Sequence, residues 1–148
     1  MKTASIATFI AAALSSLTVH AQSTGITSLH NLRDHQRVLL VFAPTPDDPQ
    51  LQIQLRTLNE HAADASTRDL VPIALPYNAP SPTPATLTTA DADAVRRRYH
   101  VAPTEFTAIL IGKDGGEKLR AHKPFSMSEL NATIDSMPMR QDEMKQQR

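Results

Sequence analysis

The chain has 148 residues with 15 basic and 15 acidic side chains, enough for one domain and without the global field that would draw in nucleic acid or an anionic membrane. It has no cysteine, which excludes disulfides, thiolate metal sites and thiol nucleophiles together. A chain of roughly 100–150 residues buries a sufficient core without disulfides.

Residues 1–21 read as a secretory signal peptide. Lys2 supplies a short positive end, Ala4 to Leu17 is nearly free of polar bulk, and Val19-His20-Ala21 places a cleavage site before Gln22. The apolar run is short and alanine-rich for a membrane span, and no stop-transfer run follows; a retained anchor is the alternative. The mature chain is therefore expected to be exported, secreted or periplasmic, with no membrane association after cleavage.

Residues 22–36 form a polar lead-in, with Leu29 and Leu32 able to tuck under the domain. Arg37 to Ala43 follows as a strand. Its valine-rich apolar run, closed by Pro44, suits burial on both faces. The 44–49 loop leads to Asp48, which can cap a helix with Pro49 in its first position. Leu51, Leu55, Leu58 and Ala62 then share one helical face. Leu70 to Leu75 reads as a second strand, in which Pro72 needs an edge or an irregular position. Pro76 to Pro84 holds four prolines and reads as a surface loop.

Thr88 to Tyr99 reads as a second helix. Thr88 and Asp91 approximate a capping box, and Arg96, Arg97 and Arg98 complement the dipole at its far end. Ala108 to Ile111 is an apolar strand. Asp114-Gly115 signals a two-residue hairpin turn, with Gly116 able to add a bulge. Glu117 to Arg120 alternates as an outer strand, where Lys118 and Lys123 would discourage edge pairing. Ser126 and Glu129 form a capping box for a last helix bearing Met127, Leu130, Ile134 and Met137. Pro138 is expected to end it. The charged residues beyond are expected to fray, with 141–148 a tail outside a domain spanning 37–140.

This order predicts an α/β fold: a parallel βαβ unit followed by an antiparallel hairpin and a helix. A four-stranded mixed sheet with helices on both faces, the thioredoxin-like architecture, accommodates it. A flavodoxin-like sheet fits less well, because the hairpin turn leaves no room for a crossover helix.

IGKDGGEKLR (111–120) together with IDSMPMRQDE (134–143) resembles the P-DUDES domain. That is a thioredoxin-like domain of unknown biochemical function, found in bacterial proteins and in vertebrate secreted matrix proteins of the DRO, URB, equarin and sushi-repeat group. RVLLVFAPTPDDPQL (37–51) and TRDL (67–70) are similar to its other blocks, so the likeness runs from about Leu29 to Met144. The resemblance implies the fold and export, and supplies no reaction. Set against a redox thioredoxin, Asp47-Asp48-Pro49-Gln50 falls where Cys-Gly-Pro-Cys would stand. Thr107 takes the place of the cis-proline, with Pro103 four residues early. A thiol–disulfide mechanism needs a thiolate, so this chain cannot run one.

Two candidate sites emerge. Asp47 and Asp48 are either a paired-carboxylate device or a cap plus a loop residue. Lys113, Lys118, Arg120 and Arg140, with Lys123 nearby, are either a basic patch for an anion or acidic partner, or a solvated edge strand; Arg140 is also placed to pair with Asp114 or a helix carboxylate. The five histidines after the leader lack metal-ligand spacing, and no nucleophile-elbow or phosphate-loop motif occurs. No cofactor or metal is expected, and no catalytic residue is assigned. The leading expectation is a non-enzymatic interaction or scaffold domain, with a protein or an extracellular or periplasmic polymer as partner. The alternative is a cysteine-independent enzyme or small-ligand binder that joins Asp47 and Asp48 to Arg120 or Arg140.

Overall fold

A computed structural model describes residues 29–147. The expected signal peptide and cleavage site lie outside the described residues. Four strands, β1 (Arg37–Ala43), β2 (Leu70–Pro76), β3 (Thr107–Ile111) and β4 (Glu117–Ala121), form one sheet in the order β2-β1-β3-β4. β1 runs parallel to β2 and antiparallel to β3, which pairs antiparallel with β4. This is the mixed sheet expected from a βαβ unit joined to a hairpin.

β1 is buried along its whole length because its alternate residues enter two different cores. Leu39, Val41 and Ala43 meet α1 (Pro49–Glu60), α2 (Ala62–Thr67) and α4 (Met127–Asp135) through Leu51, Leu58, Ala65, Leu130 and Ile134. Val38, Leu40 and Phe42 meet the other layer. There α3 (Thr89–Arg98) and the short 3-10 turn Leu29–Leu32 contribute Val95, Tyr99 and Leu32. A strand placed between two helical layers has no face for polar residues, which accounts for its unbroken apolar run.

Helix starts follow the local chemistry. Asp48 Oδ1 accepts from the main-chain N–H groups of Gln50 and Leu51 at 2.9 and 3.1 Å, with Pro49 opening α1. Thr88 caps α3, and Ser126 and Glu129 complete their reciprocal box at α4.

Two local expectations need correction. The hairpin loop has three residues, not two. Gly115 N–H closes a turn onto Gly112 O, and Gly112 N–H bonds Gly116 O. Gly115 then carries φ 78°, the left-handed residue that a three-residue hairpin loop requires. The second correction lies at the C-terminus. Residues 138–146 are helical rather than an irregular tail: Pro138 opens a further helix, α5 (Pro138–Gln146), so the expected boundary at residue 140 falls inside an element. Proline is tolerated in the first helical turn, where its missing N–H has no partner to lose. α4 has already ended at Asp135.

Candidate functional site

The sheet has two chemically distinct ends. At the end where β1 terminates lies the 44–48 loop, which leads into α1 through Asp47-Asp48-Pro49-Gln50, the segment expected to stand where a redox thioredoxin has its thiols. Asp48 is committed to capping α1, and Gln52 Nε2 ties the loop by donating to Pro46 O at 2.8 Å. Nearby, Arg96 is 7% exposed and donates to the main-chain oxygens of Leu75 and Ala102 at 2.7 and 3.1 Å. Its guanidinium lies over the rings of Phe42 and Tyr77. Burial pushes its pKa down, and Asp93 partly offsets this. Arg96 therefore ties α3 to the strand ends, beyond the dipole role expected of it.

Also at this end, His122 Nδ1 lies 2.8 Å from Glu105 Oε1 and 3.1 Å from Thr107 Oγ1. Both partners share one ring nitrogen, and Thr107 is fully buried, so no nucleophile–base–orienter chain is formed. Among the described residues, no group of three His, Asp or Glu side chains is placed to hold a metal ion.

At the opposite end, where β1 begins, charged side chains from five segments converge. Glu143 of α5 accepts from Lys113 Nζ at 2.7 Å, Arg37 Nη2 at 3.1 Å and Arg140 Nη1 at 3.4 Å. Lys113 also reaches Asp69 at 2.8 Å. Arg68 holds Asp135 with a two-pronged contact at 3.0 and 2.7 Å, and Arg140 Nε donates to the same carboxylate at 3.3 Å. Arg37 is 1% exposed and Arg140 6%.

Burial alone would raise the Glu143 pKa, but hydrogen bonds from Lys113 and Arg37 outweigh it and hold the value at about 2. Burial would likewise lower the Lys113 pKa, yet Asp69 and Glu143 together raise it. Asp135 is held below its ordinary value chiefly by the hydrogen bond from Arg68.

The predicted basic residues thus have named partners. Lys113 and Arg140 belong to this cluster, and the partner of Arg140 is a helix carboxylate rather than Asp114. Lys118 pairs with Asp114 at 2.6 Å, which also accepts from Gly116 N–H. Arg120 pairs with Glu117 and donates to Tyr99 O at 3.1 Å. Lys123 is exposed. Asp47 and Asp48 lie beyond the far end of β1 from Arg140, a seven-residue strand or roughly 20 Å away. Arg120 lies on the α3 side of the sheet, whereas Asp48 caps a helix on the other side. The joint carboxylate–arginine constellation is therefore not assembled.

Sequence reading missed Arg37, Arg68, Asp69, Asp135 and Glu143 as members of one site. A signal was present: each of the four sequence blocks singled out above sends charged side chains here. Arg37 comes from 37–51, Arg68 and Asp69 from 67–70, Lys113 from 111–120, and Asp135, Arg140 and Glu143 from 134–143.

The fold has thioredoxin-fold neighbours among solved structures. Reduced 2-Cys peroxiredoxin from Plasmodium vivax superposes with a TM-score of 0.57 at 14% identity, covering 77% of this chain and 84% of its own. A thioredoxin-family thiol:disulfide interchange protein from Chlorobium tepidum gives 0.55 at 11% identity, covering 72% and 81%. StoA from Bacillus subtilis gives 0.51 at 17% identity, covering 66% and 81%. These likenesses carry the fold alone; the cysteines that two of the names invoke are absent here. The family model described as "Domain of unknown function (DUF4174)" matches residues 28–143, and the chain belongs to that family.

Proposed function

We propose that this protein is an exported, non-enzymatic interaction domain of the P-DUDES kind, using a thioredoxin frame without its redox chemistry. The observation that carries the reading is the fate of the redox position. Asp47-Asp48-Pro49-Gln50 offers no thiol, and the Asp48 carboxylate is spent on two main-chain donors. The apolar Ile53 on α1 and Tyr77 beside Arg96 are exposed near that end, where they give a partner hydrophobic area. Export rests on the leader, the short apolar run before Gln22.

Two experiments test this. Cell fractionation with mass spectrometry of the mature N-terminus should find a chain beginning at Gln22 outside the cytoplasm. Affinity capture from that compartment, followed by calorimetry with the purified partner, should give saturable binding of defined stoichiometry. Turnover of a small molecule with no retained partner would sink the reading.

A pure scaffold role is the second reading. It is favoured by one observation: Lys113, Lys118, Arg120 and Arg140 all have internal carboxylate partners. Lys113→Ala and Arg140→Ala discriminate the two. Lost thermal stability with intact binding assigns these residues to the scaffold, whereas lost binding at unchanged melting temperature assigns them to the partner.

A further inference from the structure

Three cations from three elements converge on one carboxylate, and two of the three are positioned without it. Arg37 is fixed by the sheet: its main-chain N–H bonds Asp69 O, and its Nη1 donates to Arg68 O at 2.8 Å. Lys113 is fixed by the hairpin loop and by Asp69. The third, Arg140, arrives on α5 together with Glu143.

α5 itself makes few apolar contacts. Arg140 is its buried residue, and Met139 is 44% exposed. What α5 delivers to the body of the domain is charged: the Arg140 guanidinium to Asp135 and the Glu143 carboxylate to Arg37 and Lys113. The receiving site also has a donor to spare. Arg37 Nε–H is buried with no acceptor, beside a cavity of about 40 Å³ whose lining includes Lys113, Met137, Met139 and the paired Asp114 and Lys118. A buried guanidinium that fork-binds a carboxylate, seconded by a lysine and retaining an unmet donor, is a carboxylate receptor. A binding site filled by a tethered group is closed to competitors by effective concentration, in the millimolar range for short tethers, rather than by strong intrinsic affinity.

We propose that Arg37 and Lys113 form a carboxylate-binding site which α5 closes with its own Glu143, and that an acidic segment of a protein partner binds there by exchanging with α5. The inference rests on the interaction reading and names the partner's chemistry: a peptide presenting a glutamate or aspartate from a helix, as α5 does.

The test uses the full chain and a fluorescein-labelled peptide of residues 138–147 as probe, followed by fluorescence polarisation. Glu143→Gln removes the tethered competitor and should bind the peptide at least tenfold tighter than wild type. Adding Lys113→Gln should abolish that gain, and a probe whose own glutamate is glutamine should bind neither form. Lys113 sits in a loop, so its replacement keeps the test readable if Arg37 variants fail to fold. Hydrogen exchange on the wild type with saturating peptide should speed exchange in α5 and leave β1 protected. Equal affinity for wild type and Glu143→Gln, binding indifferent to Lys113, or no binding to either form overturns the proposal. If the peptide fails while a partner is still captured and shows saturable calorimetric binding, the interaction reading stands and only this site falls.

Discussion

Asp48 and Glu143 are two carboxylates with opposite assignments, and their surroundings decide which is which. Asp48 faces main-chain donors at a helix start, so its oxygen is used locally. Replacing it with alanine should cost about 1 kcal/mol, the usual worth of such a cap, while Asp47→Ala should be nearly neutral. Urea denaturation of both variants checks the contrast. Glu143 instead faces Arg37 from β1, Lys113 from the hairpin loop and Arg140 from its own helix, with Asp69 and Asp135 sharing those cations. Its folded pKa of about 2 lies below the ordinary 4.5. A depressed carboxylate contributes stability that is fully present above its unfolded value and lost as pH falls through the folded one. The window is therefore about pH 4.5 down to 2, and the contribution is roughly 1–3 kcal/mol after allowance for solvent screening. Wild type should exceed Glu143→Gln in melting temperature above pH 5, and the gap should close towards pH 2. A gap independent of pH would mean that glutamine disturbs packing rather than removing charge.

At the scale of elements, β2 and α5 teach different lessons. Residues 37 and 70 are bridged through Arg37 N–H on Asp69 O, so Leu70, Pro72, Ala74 and Pro76 turn their main-chain groups away from β1. The free edge of the sheet then offers almost no donors: two of these residues are prolines, and Ala74 N–H is taken by Thr83 Oγ1 at 3.0 Å. The proline that looked awkward for a strand is thus an edge guard. Restoring donors with Pro72→Val and Thr83→Val should produce concentration-dependent association in sedimentation velocity, with wild type monomeric under the same conditions. The strands were legible because the run at Val38 to Phe42 has no polar face and Asp114-Gly115 punctuates the hairpin. α5 was not, because it has no apolar stripe and begins with a residue that also signals a stop. The ion-pair site was least legible of all. Arg37 and Glu143 are 106 residues apart, and nothing periodic links a charge to a distant counter-charge. Only the clustering of charged residues within four short blocks hinted that those blocks would meet.

For the whole molecule, one sheet serves two cores, and this decides whether the protein unfolds as one unit. Adjacent β3 residues enter opposite layers, Ile109 towards α3 and Leu110 towards α1 and α4, and both are fully buried. Neither layer survives without the strands that the other covers, so damage on one side should be felt on both. The chain supplies a convenient reporter, because it has no tryptophan and its two tyrosines both belong to the α3 side. Leu110→Ala, a cavity on the opposite side, should cost about 2–5 kcal/mol. Its guanidinium unfolding midpoint should move by the same amount whether read by tyrosine fluorescence or by far-ultraviolet circular dichroism. If the tyrosine transition stays in place while the dichroism shifts, the two layers unfold separately and the sheet does not couple them. Coincident shifts would mean that both ends of β1, the capped 44–48 loop and the Arg37 site, are held by a single cooperative frame. Exchange of α5 would then be a local opening on that frame, detectable without any loss of the core.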